Sequence, residues 1–306
     1  MTQAERGSRT LAALSDELAA AVEQAARCVV TVDARARTAA SGTVWTGGVV
    51  VTADHVIEPD ENITVTLPDG ATAKATVTGR DPGTDLAVLK LESGALPAAE
   101  TVALEDVKVG HLVLAIGRPR AGSPMASFGV VSAIGGQWRT ARGGTVEGYV
   151  RADVSLYPGF SGGPLVNTGG RVIGLNSWYL ARGQELALPA AAVSRIVQIL
   201  LSEGRVRRGY LGVTSQPVRL PEAVRQQLGL SQEVGLMILG VEGGSPAEKG
   251  GVLMGDILIG IAGRNVSDPG ELRDALGSAA VGQPLSVAVI RGGQRQELSV
   301  TPAERE

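Results

Sequence analysis

The sequence predicts a mostly β fold: short strands closing into two small antiparallel barrels, followed by a separate β-rich unit with helices of its own. Three observations carry the prediction. Short β-branched or alternating apolar runs recur between turn signals such as Pro68-Asp69-Gly70 and Asp81-Pro82-Gly83, the pattern of strands and hairpins. No long helical segments alternate with them, which argues against a parallel sheet. The 306 residues include 42 glycines and 15 prolines, enough to punctuate many tight turns.

Leu11, Leu14, Leu18 and Val22 recur at three- and four-residue spacing and predict one amphipathic helix. Strand signals follow at Val29 to Val32, Val49 to Thr52, Ile63 to Leu67 and Leu86 to Leu91. A softer stretch from Glu92 to Gly110 separates them from a second set at Leu112 to Ile116, Phe128 to Ile134, Val146 to Val150, Leu165 to Asn167 and Val172 to Asn176. Two strand-rich halves around a soft middle predict two barrels. Pro189 opens a helix with Val193, Ile196, Val197 and Leu200 on one face and Gly204 behind it, the usual start and stop punctuation. The β-rich unit after Gly209 carries predicted helices at Glu222 to Leu228 and Glu271 to Leu276. The division is therefore a helical segment over 1–27, a first domain over 28–204 and a second over 209–302.

Bulk properties narrow the function. A net charge of -3 gives no electrostatic attraction to nucleic acid or an anionic membrane. Arg205, Arg207 and Arg208 read as a solvated face beside a linker. Cys28 is the single cysteine, so no internal disulfide forms, and its apolar neighbours suit a buried small hydrophobe. The N-terminus lacks the apolar core of a signal peptide, and no run reaches the roughly 20 apolar residues of a membrane span. The expectation is a cytoplasmic protein.

The strongest local signal is Gly159-Phe160-Ser161-Gly162-Gly163-Pro164-Leu165. A nucleophilic serine needs a sharp turn and converging backbone N–H groups for a developing oxyanion. Glycines on both sides permit that geometry, with the N–H groups of Gly159 and Ser161 as the natural pair. Taken alone, the run also fits an ordinary glycine-rich turn. A serine needs a base, and the chain offers two histidines. His55 directly follows a predicted strand in Thr52-Ala53-Asp54-His55, whereas His111 has no comparable setting. Asp85, at the head of Leu86 to Leu91, can accept the imidazole N–H and fix its tautomer. The order His, Asp, Ser places two partners in one barrel and the third in the other. No metal or organic cofactor is required by that chemistry.

The segments VTADHVI, TDLAVLKL, FGVVSAIG, YPGFSGGPLVNTGGRVIGLN, LALP, RRGYLGV and GGSPAEKGGVLMGDILIGIAG resemble the HtrA (Deg) family over nearly the whole chain. The resemblance implies a chymotrypsin-like double β-barrel protease domain followed by a PDZ-like α+β domain. It implies a triad of His55, Asp85 and Ser161, and ATP-independent endopeptidase action on unfolded or misfolded protein. Leu156, Leu186 and Leu188 would form an apolar specificity pocket. The sequence departs from the family at Tyr157 and Phe160, where asparagines are usual, and at Glu185-Leu186-Ala187-Leu188-Pro189. Those departures motivate an alternative, a catalytically weak peptide-binding scaffold or chaperone-like holdase. In the second domain Tyr210, Leu211, Gly212 and Val213 would hold a peptide C-terminus, with Leu272 and Leu276 lining its side-chain pocket. Family trimers commonly rest on N-terminal aromatic residues; none occurs here before Trp45, so a homo-trimer stays a family expectation.

Overall fold

The computed structural model describes residues 3–34, 39–58, 62–94, 96–120, 122–140, 144–180, 185–277 and 281–304, with side chains from Thr10 onward. The chain divides into two compact units, Met1–Val206 and Arg207–Glu306.

The first unit opens with α1 (Gln3–Ala26). Its packing face is made of small residues: Ala21 and Ala25 are buried, with Leu18 and Val22 partly so. Leu11, expected on that face, is 69% exposed, because the helix meets the barrels through its C-terminal half. Next come β1 (Val29–Asp33), β2 (Ala40–Thr46), β3 (Val49–Ala53), β4 (Ile63–Thr66), β5 (Thr72–Asp81) and β6 (Leu86–Leu91). They close an antiparallel barrel in the order β1-β2-β3-β6-β5-β4. The sequence shows no clear signal for β2 or β5. In β2, Ser41, Gly42 and Thr43 break the apolar pattern although every residue but Thr46 is buried. In β5 the inward positions are alanines, Ala73 and Ala75, too small to register as a hydrophobic run.

Among its described residues, the soft stretch holds one 3-10 turn, Leu104–Asp106. The second barrel contains β7 (Leu112–Gly117) and β8 (Met125–Gly135), then a small ribbon of β9 (Trp138–Arg139) and β10 (Thr145–Val146). It continues through β11 (Tyr149–Ala152), β12 (Pro164–Asn167), β13 (Val172–Ser177) and β14 (Leu186–Pro189). The barrel closes in the order β11-β14-β13-β12-β7-β8. The run expected as one strand from Val146 to Val150 is broken at Gly148, whose φ is +89°. The helix α2 (Ala190–Glu203) then packs Val193, Val197 and Leu200 into the first barrel's core and ends at Gly204.

Arg118 joins these parts. It is 3% exposed, and its guanidinium donates to the carbonyls of Val29 (2.8 Å), Ala26 (3.1 Å) and Gly122. The end of α1, the start of the first barrel and the β7–β8 connection thus share one cation. Burial draws its pKa below the ordinary arginine value, and the three carbonyls replace the water it has lost.

The second unit pairs β15 (Gly209–Tyr210) with β22 (Ala303–Glu304). Its main sheet runs β16 (Val213–Arg219), β17 (Val234–Val241), β18 (Ile257–Ile261), β20 (Leu285–Arg291) and β21 (Gln294–Val300), with β19 (Arg264–Asn265) on β18. The helices are α3 (Glu222–Leu228), α4 (Pro246–Lys249) and α5 (Pro269–Ala275). Asp268 caps α5 by accepting the N–H groups of Gly270 and Glu271. Among the described residues no helix is long and apolar enough to cross a membrane.

Cys28 is buried at the mouth of β1, its thiol hydrogen-bonded to the Ala25 carbonyl at 3.1 Å. Burial pushes the thiol up to about 11 from 9.0. The thiolate population at pH 8 should therefore be lower by about 100-fold than in the unfolded chain. Iodoacetamide should leave folded protein unmodified at pH 8 and alkylate Cys28 once urea unfolds it. Equal rates in both states would contradict this burial.

Candidate active site

The antiparallel register of β3 and β6 pairs Ala53 with Leu86, so the residues just beyond β3 and just before β6 meet at one barrel end. His55 lies in the 3-10 turn Asp54–Val56. Asp85 has a left-handed backbone, φ +58°, a conformation aspartate tolerates better than most residues. The turn that delivers it is fixed by Asp81, whose carboxylate accepts from Gly83 N–H (3.1 Å) and Thr84 Oγ1 (2.6 Å). One Asp85 carboxylate oxygen accepts the His55 backbone N–H at 3.0 Å, and the other lies 2.8 Å from His55 Nδ1. The Asp85 carbonyl accepts the Asp54 N–H at 3.1 Å. Asp85 therefore grips both the backbone and the ring of the same histidine. An Nδ1–H aimed at a carboxylate leaves Nε2 as the basic nitrogen. The turn is braced from behind by the Arg80–Asp54 ion pair at 2.6 Å.

The serine loop is built as a type II turn over Tyr157-Pro158-Gly159-Phe160. The Phe160 N–H donates to the Tyr157 carbonyl at 2.9 Å, proline occupies the second position, and Gly159 has φ +87°. Glycine is required at 159 twice over, since a Cβ there would also stand 2.4 Å from Pro119 Cβ. Phe160 is fully buried, edge-on to Tyr157 at 5.3 Å. Its ring occupies space left open by Gly117, where an added Cβ would lie 2.6 Å from Phe160 Cδ1. The Phe160 ring thus gives the turn an apolar anchor.

Among the described residues, the N–H groups of Gly159 and Ser161 have no protein acceptor. Ser161 is 8% exposed, and its Oγ accepts the Trp178 N–H at 3.3 Å; no hydrogen bond joins it to the imidazole in this state. Three consecutive residues at the end of β13 touch all three side chains. Ser177 Oγ donates to the Asp85 carboxylate, the Trp178 amide meets Ser161, and the Tyr179 ring lies 4.2 Å from the His55 ring. No sequence motif marks these three residues. The polar Ser177 ending a wholly buried strand was the available signal.

Leu156 is buried in the second barrel's core beside Phe160, while Leu186 and Leu188 belong to the larger cluster that includes α2. Glu185 is half-buried next to β14. Trp178 and Tyr179 are 56% and 50% exposed, so large aromatic surfaces border the serine. His111 is exposed and its Nδ1 accepts the Lys108 N–H at 3.3 Å, an ordinary turn contact.

In the second unit, Gly212 has φ +81° in the loop Tyr210-Leu211-Gly212-Val213 that leads into β16. The Leu211 carbonyl accepts the Ala247 N–H and the Gly212 carbonyl accepts the Glu242 N–H, both at 2.8 Å. Among the described residues the Leu211 and Gly212 N–H groups have no protein acceptor. The loop is also tied to α5, through Gly209 N–H on the Leu276 carbonyl at 2.8 Å. β16 is an edge strand of the sheet and lies against α5. Leu272 and Leu276 are members of the unit's core.

Residues 40–175 match a trypsin-like peptidase domain and residues 209–301 a PDZ domain. A probable periplasmic serine endoprotease DegP-like from Pseudomonas savastanoi pv. phaseolicola is 35% identical over 259 residues, 83% of this chain and 53% of that protein. The chain spans about half the length of the curated relatives it matches. The serine endoprotease from Yersinia pestis superposes with a TM-score of 0.77 at 30% identity, covering 94% of this chain and 98% of that one. The HtrA-type protease AlgW with decapeptide gives the same TM-score at 28% identity, covering 94% and 99%.

Phe160 anchors the serine loop by burial alone. Phe160→Ala should cost about 3–5 kcal/mol and lower the first unit's calorimetric transition by roughly 6–20 °C. A shift of a degree or two would mean that the loop is held without it.

Proposed function

Because the chain belongs to the HtrA family of trypsin-like serine proteases carrying a PDZ domain, we propose that it is a serine endopeptidase with Ser161 as nucleophile, His55 as general base and Asp85 as the orienting carboxylate. The observation that carries the reading is the doubly held His55–Asp85 pair, linked through the consecutive residues Ser177, Trp178 and Tyr179 to a serine loop with two unused amides. For attack, Ser161 Oγ turns from the Trp178 N–H to His55 Nε2; catalytic hydrogen bonds of this kind often tighten only with substrate bound. The Oγ adds to the scissile carbonyl carbon and its proton passes to Nε2. The resulting oxyanion is met by the Gly159 and Ser161 N–H groups. Collapse breaks the C–N bond, Nε2 returns the proton to the leaving amine, and water releases the acyl group by the same steps.

The energy of peptide hydrolysis drives this sequence, so no nucleotide is consumed. The site accepts extended chain, which folded proteins rarely present and unfolded or misfolded ones do. Leu156 on one side and Leu186 and Leu188 on the other lie in separate buried clusters, so a preference for small aliphatic side chains rests on the family resemblance alone. The loop at Tyr210 to Val213 would take a peptide carboxylate on its two unused amides while the peptide adds to the edge of β16. The AlgW structures carrying a decapeptide and a tripeptide support peptide recognition in this architecture.

A fluorophosphonate probe should add one label at Ser161, read by intact mass. Ser161→Ala should lower casein hydrolysis by about 10⁴-fold or more with an unchanged melting temperature. An unlabelled wild-type protein would favour the alternative of a peptide-binding scaffold. For the second unit, a peptide with an apolar C-terminal residue should bind the Ser161→Ala chain, and amidation of its carboxylate should weaken it by about tenfold or more. Equal affinity of the two peptides would remove the carboxylate reading.

A further inference from the structure

Ser41 lies in β2 of the first barrel, fully buried, yet all its polar groups are directed to the serine loop or its supports. Its Oγ donates to the Gly159 carbonyl at 2.6 Å and accepts the Arg118 backbone N–H at 2.8 Å. Its own N–H donates to the Ser161 carbonyl at 3.3 Å, and its carbonyl accepts Thr52 Oγ1 at 2.7 Å. From this geometry, and resting on the proposed peptidase reading, we infer that Ser41 is a positioning residue for the oxyanion site.

In the planar trans peptide, C=O and N–H point in opposite directions. Fixing a carbonyl therefore aims the N–H of the next residue. With the Gly159 carbonyl on Ser41 Oγ, the Phe160 N–H is turned the other way and reaches Tyr157 at 2.9 Å. With the Ser161 carbonyl on Ser41 N–H, the Gly162 N–H is turned the other way and reaches Asn176 at 2.9 Å. Between those two pinned planes lies the Phe160–Ser161 peptide. Its carbonyl accepts the Gly163 N–H at 2.9 Å, and its N–H, that of Ser161, is left pointing away with no protein acceptor. Ser41 holds the planes on both sides of the one that must present this donor. Arg118 holds Ser41 in turn, and its guanidinium is anchored on Val29, Ala26 and Gly122.

The test compares Ser41→Ala with Thr43→Val in the full chain. Thr43 is a matched control: it is buried on the same strand, and its hydroxyl donates to the Gly162 carbonyl at 2.9 Å, one plane further from the Ser161 amide. Each variant is titrated with the fluorophosphonate to count competent sites, so partial unfolding is separated from slower chemistry. Per competent site, Ser41→Ala should lower kcat by about 10–100-fold, somewhat below the loss of a whole oxyanion donor, with KM within about twofold of wild type. Affinity for a peptide boronate, which forms a tetrahedral adduct on the serine, should fall in parallel with kcat. Thr43→Val should lose no more than about threefold in kcat, and Ser41→Thr, which keeps the hydroxyl, should recover most of the Ser41→Ala loss. A Ser41→Ala kcat within twofold of wild type overturns the inference, as does a loss no larger than that of Thr43→Val. A wild-type chain that neither labels nor cleaves overturns the peptidase reading, and this inference with it.

Discussion

The site depends on a strand register. Val49 to Ala53 pair antiparallel with Leu86 to Lys90, so the chain leaving one strand and the chain entering the other emerge side by side. That placement lets one carboxylate receive a backbone N–H and a ring N–H of the same histidine. A slip of one residue would turn every side chain of β6 to the opposite face, exchanging Leu86 and Val88 with Ala87 and Leu89 in sites that are all fully buried and differently shaped. The apolar pattern that closes the barrel therefore also orients the imidazole. Stability and site geometry are specified by the same residues, and the left-handed backbone of Asp85 is tolerated because both flanking elements are fixed.

The serine half obeys a different logic. The first barrel contributes polar groups from β2 and β3, namely Ser41, Thr43 and Thr52, whose hydroxyls face carbonyls of the serine loop or of β2 itself. Each is buried and paired, so these contacts are directional in a way that apolar packing is not. The other support is the Phe160 ring, locked by volume. Directional bonds set the peptide planes while the ring sets the depth of the loop.

Much of this was legible in the sequence. Leu86 to Leu91, Glu222 to Leu228 and the helix ending at Gly204 could be read because periodicity and turn residues agree with the fold there. His55, Asp85 and Ser161 could be singled out because each sits beside a strand or turn signal. β2 was illegible for the same reason that it matters: its residues are chosen for hydrogen bonds to a segment about 120 positions away, and such partners leave no local pattern. Ser177, Trp178 and Tyr179 escaped notice likewise, since their significance lies in contacts with Asp85, Ser161 and His55 rather than in any motif. Leu11 was over-read, because a helix's apolar spacing does not reveal how much of its length reaches the body of the protein.

The fit of Phe160 against Gly117 makes the side chain allowed at one position depend on another far away in the sequence. A methyl group on residue 117 would collide with the ring, whereas a smaller side chain at 160 would leave a hollow. The dependence runs one way: the aromatic at 160 requires a glycine at 117, whereas a glycine at 117 tolerates any side chain opposite it.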